Sequence, residues 1–312
     1  MKQPLKTITI CSLSAIITIF AFSCRKLVGD LPPYDPVPVV NSLLVDGKTI
    51  DVHVSFAAIT ADYFLPVCEN ATVNLFVDDV FAETLEHAYD GLYISNIIAE
   101  AGKRYSCEVI IPEFDTLRAQ TYIPEPARAY DLEFVEVAGY NEESRPYSAI
   151  KFSFDTDPDK RLFYHAVIKT YYSKWVGYDT VNHQPIYGDP TCQENYLYYT
   201  TEPVILNEGT DYPVFSNDII DKHSYRMNLS HTGGSSSPII LEFNAASEDY
   251  YKYIKQAYLF KEYTYGKFSP SVGALPVHNL HSNVSGGFGI FAGVAVSVCD
   301  TLFPPNYNNW QY

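Results

Sequence analysis

Basic residues are scarce in this chain. Its 21 Lys and Arg stand against 37 Asp and Glu, a net charge of −16 over 312 residues. Such a balance repels polyanions, so nucleic acid and anionic lipid are excluded as natural partners, and solubility is favoured. Cysteine is scarce too, and none of the six forms a Cys-x-x-Cys pair, which discounts the usual zinc clip. Gly-x-Ser-x-Gly, His-Glu-x-x-His and a Walker loop are all missing. Carboxylates abound, but nothing selects two of them as a glycosidase pair. His278 and His281 stand three apart, a spacing that could hold a metal on a helix, but they lie in a Pro/Asn-containing loop and read as solvated or satisfied histidines. No catalytic residue, metal site or cofactor is expected. A membrane span needs about 20 apolar residues, and the run from Ile8 to Phe22 is too short for one.

That short run nevertheless has a meaning. Lys2 and Lys6 precede it and Ser23-Cys24 follow, the layout of a secretory signal. A cysteine directly after Ala21-Phe-Ser is the lipoprotein variant, so residues 1–23 are the expected signal peptide. Cys24 is the expected site of lipidation (palmitate-type acylation) and the mature N-terminus. Residues 24–35 form a Pro-containing tether that buries no core. Loss of Lys2 and Lys6 takes 21 basic residues to 19 against 37 acidic ones, a net charge of −18. Arg25 and Lys26, not acids, follow Cys24, so the signal for display on the outer surface is not matched, and the membrane face stays open.

With 47% hydrophobic and 15% aromatic residues, the remainder has a folding composition and a length suited to two domains. Residues 36–126 alternate in seven short runs: Val37–Leu44, Thr49–Phe56, Ala71–Val77, Phe81–Leu85, Gly91–Ile97, Arg104–Ile111 and Leu117–Ile123. Turn signals such as Asp78-Asp79 and Asp90-Gly91 separate them. This spacing predicts an immunoglobulin-like or transthyretin-like β-sandwich. Tyr105, two residues before Cys107, fits a tyrosine corner. Pro124-Glu-Pro126 marks a hinge, because neither proline supports a ladder or a helix. Residues 127–312 then form a second, β-sandwich-like domain, opening with strands at Tyr130–Ala138, Tyr147–Phe154 and Leu162–Trp175. The acidic run Asp155–Asp159 between the last two lacks the central glycine and late glutamate of a calcium loop and reads as a solvated turn.

The chain is organised around residues 239–298. An apolar strand leads to a helix near 247–263, capped by Ser247, with Glu248 and Asp249 at its positive end. Tyr250, Ile254 and Tyr258 line one face. Ser285-Gly-Gly-Phe-Gly-Ile-Phe-Ala-Gly293 follows. The glycines come after the helix, not between a strand and a helix start, so they are no phosphate loop. They are expected to let the helix pack across one end of the sandwich. The Ser-Glu-Asp-Tyr-Tyr-Lys-Tyr helix, Ser282-Asn283-Val284 and Gly-Gly-Phe-Gly-Ile-Phe resemble a Bacteroidota outer-membrane lipoprotein family catalogued as a domain of unknown function. Phe215-Ser-Asn-Asp-Ile-Ile and Pro38-Val-Val-Asn-Ser-Leu-Leu are similar to it as well. Its genes often lie beside those of TonB-dependent receptors, so the resemblance implies a TonB-dependent outer-membrane transporter as partner. It supplies no catalytic residues.

From Gly177 to Pro203 the alternation breaks down. Tyr178, Tyr187, Tyr196, Tyr198 and Tyr199, with Trp175 before them, form an aromatic, polar insertion suited to binding a protein or a sugar. Cys68, Cys107, Cys192 and Cys299 are an even set in an exported chain and allow three pairings. Containment within domains favours Cys68–Cys107 and Cys192–Cys299. Thr116, Thr180 and Thr301, each between Asp and an apolar residue, match a short O-glycosylation motif. The expected function is a non-catalytic accessory or ligand-binding partner of a transporter. A surface hydrolase on glycans or peptides and a structural or adhesive module are the alternatives.

Overall fold

A computed structural model describes residues 35–57, 66–179, 184–195, 200–231, 238–265 and 280–305. All elements named below lie in the compact unit that begins at Val37. The fold is mostly β, as the alternation predicts.

The largest sheet takes strands from both ends of the chain. β1 (Pro38–Val45), β2 (Thr49–Phe56), β5 (Glu86–Tyr89) and β6 (Leu92–Ile98) precede the Pro124–Pro126 hinge. β11 (Phe163–Tyr178), β12 (Pro185–Asn195), β13 (Val214–Ser216), β15 (Ile239–Ala246) and β16 (Phe288–Ala295) follow it. Their order is β12-β11-β15-β16-β1-β2-β6-β5, with β13 beside β11. A four-stranded sheet, β4-β3-β7-β8, is built from β3 (Thr72–Val77), β4 (Val80–Thr84), β7 (Arg104–Ile110) and β8 (Leu117–Tyr122). A three-stranded sheet, β14-β10-β9, contains β9 (Ala129–Tyr140), β10 (Pro146–Asp155) and β14 (Ser224–His231). The helices are α1 (Pro203–Asn207) and α2 (Glu248–Tyr265).

Each small sheet covers one half of the large one. The first core joins Val52, Tyr93 and Phe291 of the large sheet to Val73, Leu75, Val109 and Leu117 of the four-stranded sheet. In the second, Tyr164, Ile168, Leu241 and Phe243 meet Phe152, Phe154, Met227 and Leu229 of the three-stranded sheet. Burying one such side chain contributes about 1.5–3 kcal/mol. Strict alternation in β8, where every second residue from Leu117 is buried, is what one covered face demands.

The turns follow their chemistry. Asp78 and Asp79 both have positive φ (49° and 65°) in the two-residue loop between Val77 and Val80, the twist a tight hairpin needs. Tyr105 behaves as a tyrosine corner: its hydroxyl accepts from the Glu100 amide, five residues upstream, at 2.7 Å.

α2 begins where predicted. Ser247 Oγ accepts from the Tyr250 amide at 3.2 Å and from the Gly293 amide at 3.1 Å, so the cap also ties the helix to β16. The helix lies on the face of the large sheet opposite the two sandwiches, with Tyr250 and Tyr251 on Phe163, Ala246, Ile290, Ala292 and Val294. β16 is therefore covered on both faces, which explains its unbroken buried run from Ile290 to Ala295. Its glycines do not principally accommodate the helix, contrary to expectation. Gly289 (φ 120°) lets β16 run parallel to β1, because a Cβ there would strike the Val40 backbone.

Candidate functional site

Where it is described, the predicted insertion is not irregular: its residues up to Tyr178 and from Pro185 to Asn195 form the two strands of a β-hairpin. β12 runs antiparallel to β11, with Tyr171 opposite Cys192 and Trp175 opposite Tyr187, and the ladder has two register shifts. The pattern broke down in the sequence because Pro185, Pro190, Gly177 and Gly188 interrupt the alternation. β15 pairs with β11 only as far as Thr170. From Tyr171 to Tyr178 the hairpin is a two-stranded arm as far as the described strands go. Tyr171, Val176 and Tyr178 on this arm are 36%, 59% and 63% exposed. Trp175 and Tyr187 lie on it by register. Tyr196, Tyr198 and Tyr199 lie outside the described residues, as do Cys24, Thr180 and His278.

The favoured disulfides are not formed, and all four cysteines are free thiols. Cys192 is on the edge strand β12, whereas the Cys299 amide donates to Leu241 on the far side of β15. β11 and β15 thus lie between them. Strands are spaced about 4.8 Å apart, so the gap far exceeds the roughly 7 Å that a disulfide spans between Cα atoms. Cys68 donates to Asn70 Oδ1 at 3.3 Å. Cys107 is buried between β3 and β8, and burial pushes its thiol up to about 12. Thr116 is half-buried and Thr301 exposed. His281 Nε2 meets Asp249 Oδ1 at 2.7 Å.

Two buried polar networks under α2 escaped sequence reasoning. His165, near the start of β11, is 4% exposed, with Nδ1 2.8 Å from the Tyr250 hydroxyl. Its Nε2 has no hydrogen-bond partner among the described residues, nor has Oδ1 of Asn244, the residue paired with it across β15. Burial, with repulsion from Lys169 behind it, lowers the imidazole to about 4, so the ring is neutral at pH 7. Glu208, just after α1, accepts from the Ser216 amide (2.8 Å), Lys255 Nζ (2.7 Å) and the Tyr251 hydroxyl. Burial raises its pKa, but the bonds from Lys255, Tyr251 and Ser216 outweigh that and hold the carboxyl below its usual value. The one sequence signal was a lone histidine inside the apolar run Leu162–Ile168.

A cavity of about 660 Å³ opens where three segments meet. Pro124–Ala127 form one wall, Asp155–Tyr164 another, and Ala245–Asp249 at the start of α2 the third. The acidic run expected to be a solvated turn edges this cavity, with Lys160 Nζ 2.9 Å from Asp157. Among the described residues no cluster of His, Cys, Asp and Glu is arranged to hold a metal ion.

Residues 26–298 match the family described as a domain of unknown function, DUF4249. The chain belongs to this family. A comparison with curated proteins gave no match. The DUF4249 match takes in the hairpin arm, both buried networks and the cavity wall, so all belong to the family domain rather than to an appended segment.

Proposed function

We propose that this DUF4249 chain is a Bacteroidota-type outer-membrane lipoprotein, held by a lipid on Cys24, that serves as a non-catalytic accessory or ligand-binding partner of a TonB-dependent transporter. The basic start, the apolar run Ile8–Phe22 and Ser23-Cys24 support the anchor. The resemblance to a family often encoded beside such receptors supports the partner. No helix among the described residues is long and apolar enough to cross a membrane.

The observation that carries the reading is the arm. Aromatic side chains give rigid contact area with a polar handle, and large exposed apolar groups gathered on one projecting element favour a binding surface. Tyr171, Val176 and Tyr178 meet that description. The test is a mild-detergent pull-down of the Cys24-anchored protein from its native membranes, read by mass spectrometry, beside a Val176→Ser/Tyr178→Ser variant. Recovery of a transporter near one-to-one, with at least roughly tenfold less on the variant, is expected if these side chains are interface anchors. A protein that comes out alone sinks the transporter reading, and glycan and peptide substrates then become the ones to screen.

A further inference from the structure

A second, smaller cavity, of about 430 Å³, lies on the four-stranded sheet, on the face turned away from the first core. Leu75, Cys107 and Ala119 point into that core, so their neighbours Phe76, Ser106, Glu108, Arg118 and Gln120 share the outer face. Pairing sets these side chains in two adjacent rows. Phe76 is opposite Ser106, which is opposite Gln120; two residues along, Glu108 is opposite Arg118. Side chains so paired stand about 5 Å apart. All five line the cavity. Asn283 and Ser285 raise a wall at the β8 edge. Arg118 and Ser285 exchange backbone bonds of 3.1 and 2.8 Å, and Asn283 Nδ2 donates to the carbonyl oxygens of Gln120 (3.0 Å) and Phe291 (2.8 Å). The platform is therefore preformed, which lowers the cost of binding.

The charges of this cavity are already paired. Glu108 Oε1 accepts from Arg118 Nε at 2.8 Å, and Asp79, also in the wall, lies 3.9 Å from Arg104. Hydrogen-bonding capacity is left over. Glu108 Oε2, the two terminal nitrogens of Arg118, the Ser106 hydroxyl and the Gln120 side-chain amide have no protein partner among the described residues. Phe81 meets Phe76 in a T-shape, 5.7 Å between centroids, and so leaves a ring face of Phe76 uncovered by it.

We propose that this cavity binds a neutral saccharide, one sugar ring lying on Phe76 and its hydroxyls bonded along Ser106, Gln120 and the Glu108–Arg118 pair. A sugar ring has an apolar C–H face and a rim of hydroxyls, each of which both donates and accepts. An aromatic ring beside a hydroxyl, an amide and a paired carboxylate and guanidinium offers the matching surface. A free ion is disfavoured, because it would have to compete with a pairing already made. A purely apolar ligand is disfavoured too, since it would cover the ion pair and return no bond. The site shares no residue with the arm and stands without any transporter.

The experiment uses the full chain and four neutral disaccharides, cellobiose, maltose, xylobiose and mannobiose, with the dimers of galacturonate (anionic) and glucosamine (cationic) for comparison. Binding is followed by saturation-transfer NMR and titration calorimetry. At least one neutral disaccharide is expected to bind, and more tightly than either charged dimer. Phe76→Leu, which keeps the bulk and removes the ring, is expected to weaken it about fivefold. Gln120→Ala, on an exposed residue whose side chain supports nothing, is expected to weaken it about threefold and keeps the test readable if Phe76→Leu folds poorly. Val176→Ser/Tyr178→Ser on the arm is expected to leave the affinity unchanged, which separates this site from the arm. Failure of all four neutral disaccharides, tighter binding of a charged dimer, an affinity indifferent to both Phe76→Leu and Gln120→Ala, or loss of binding in the arm variant would overturn the proposal.

Discussion

A single imidazole sets a pH dependence that the composition hides. His165 has its folded-state pKa near 4, below the ordinary 6.5, because burial penalises the charged ring. The groups facing it are Tyr250 on α2, Tyr212, Lys169 on its own strand, Asn244 across the ladder, and the nearby carboxylates Glu194 and Glu242. The unfolded chain takes up the proton near 6.5 and the folded one does not until about 4. Stability is therefore full above 6.5 and falls as the pH drops towards 4, by up to roughly 3 kcal/mol. Glu208 acts in a lower window: its depressed carboxyl stabilises the fold above its ordinary value of 4.5 and loses that contribution below it. Denaturant melts at a series of pH values from 7.5 to 4.5 should show the loss in the native chain. His165→Gln, which can still bond Tyr250, should flatten the curve between pH 6.5 and 5. A native curve already flat in that interval would mean that the ring finds a proton acceptor when charged.

At the scale of elements, α2 is pinned by chemistry as much as by packing. Its apolar face is modest, and Glu208 adds a tie that reaches Lys255 and Tyr251 from the end of α1. Removing one member of a buried pair leaves the other charge uncompensated, so Lys255→Met should destabilise the protein by roughly 3 kcal/mol. Glu208→Gln with Lys255→Met should cost less than the two single changes added together. Thermal melts of the four proteins form the cycle, and strict additivity would mean the pair is idle. The helix itself was legible, since Ser247, the acidic first turn and the Tyr250–Ile254–Tyr258 line are local signals. Seven of the eight strands before the hinge were legible to within a residue or so, because alternation and turn residues are also local, whereas β5 was not expected. Glu208 was not legible: its partners lie 43 and 47 residues further along. The arm was misread because proline and glycine in β12 are tolerated on an edge strand but look like loop in a sequence. The cavity escaped notice because its three walls are far apart in the chain and none has a motif of its own.

The whole molecule poses a question that no local signal addresses, namely whether the Pro124–Pro126 hinge is also an energetic boundary. Two prolines argue that it is, and each side has its own core. The large sheet argues the other way. β16, from the end of the chain, pairs with β1 along seven residues, Val39 to Val45, and with β15 at Ala245 and Ala246. Phe291 and Ala295 on β16 and Ala245 on β15 belong to the first core, with strands that precede the hinge. A fragment ending at Pro126 would thus lose the covering strand of β1 and expose Val40 and Leu44, both at most 1% exposed in the full chain. Parallel pairing of strands so distant in sequence is also slow to form, since a long loop must close first. We expect the full chain to unfold in one calorimetric transition with matching van't Hoff and calorimetric enthalpies, and residues 36–126 expressed alone to show no cooperative melt. Gly289→Ala offers a check without truncation. A Cβ striking the Val40 backbone at φ 120° should cost at least roughly 2 kcal/mol. If the sheet couples the halves, that loss lowers one shared transition. Two resolved transitions, only one of them moved by Gly289→Ala, would show instead that each side of the hinge folds on its own and that β16 merely docks.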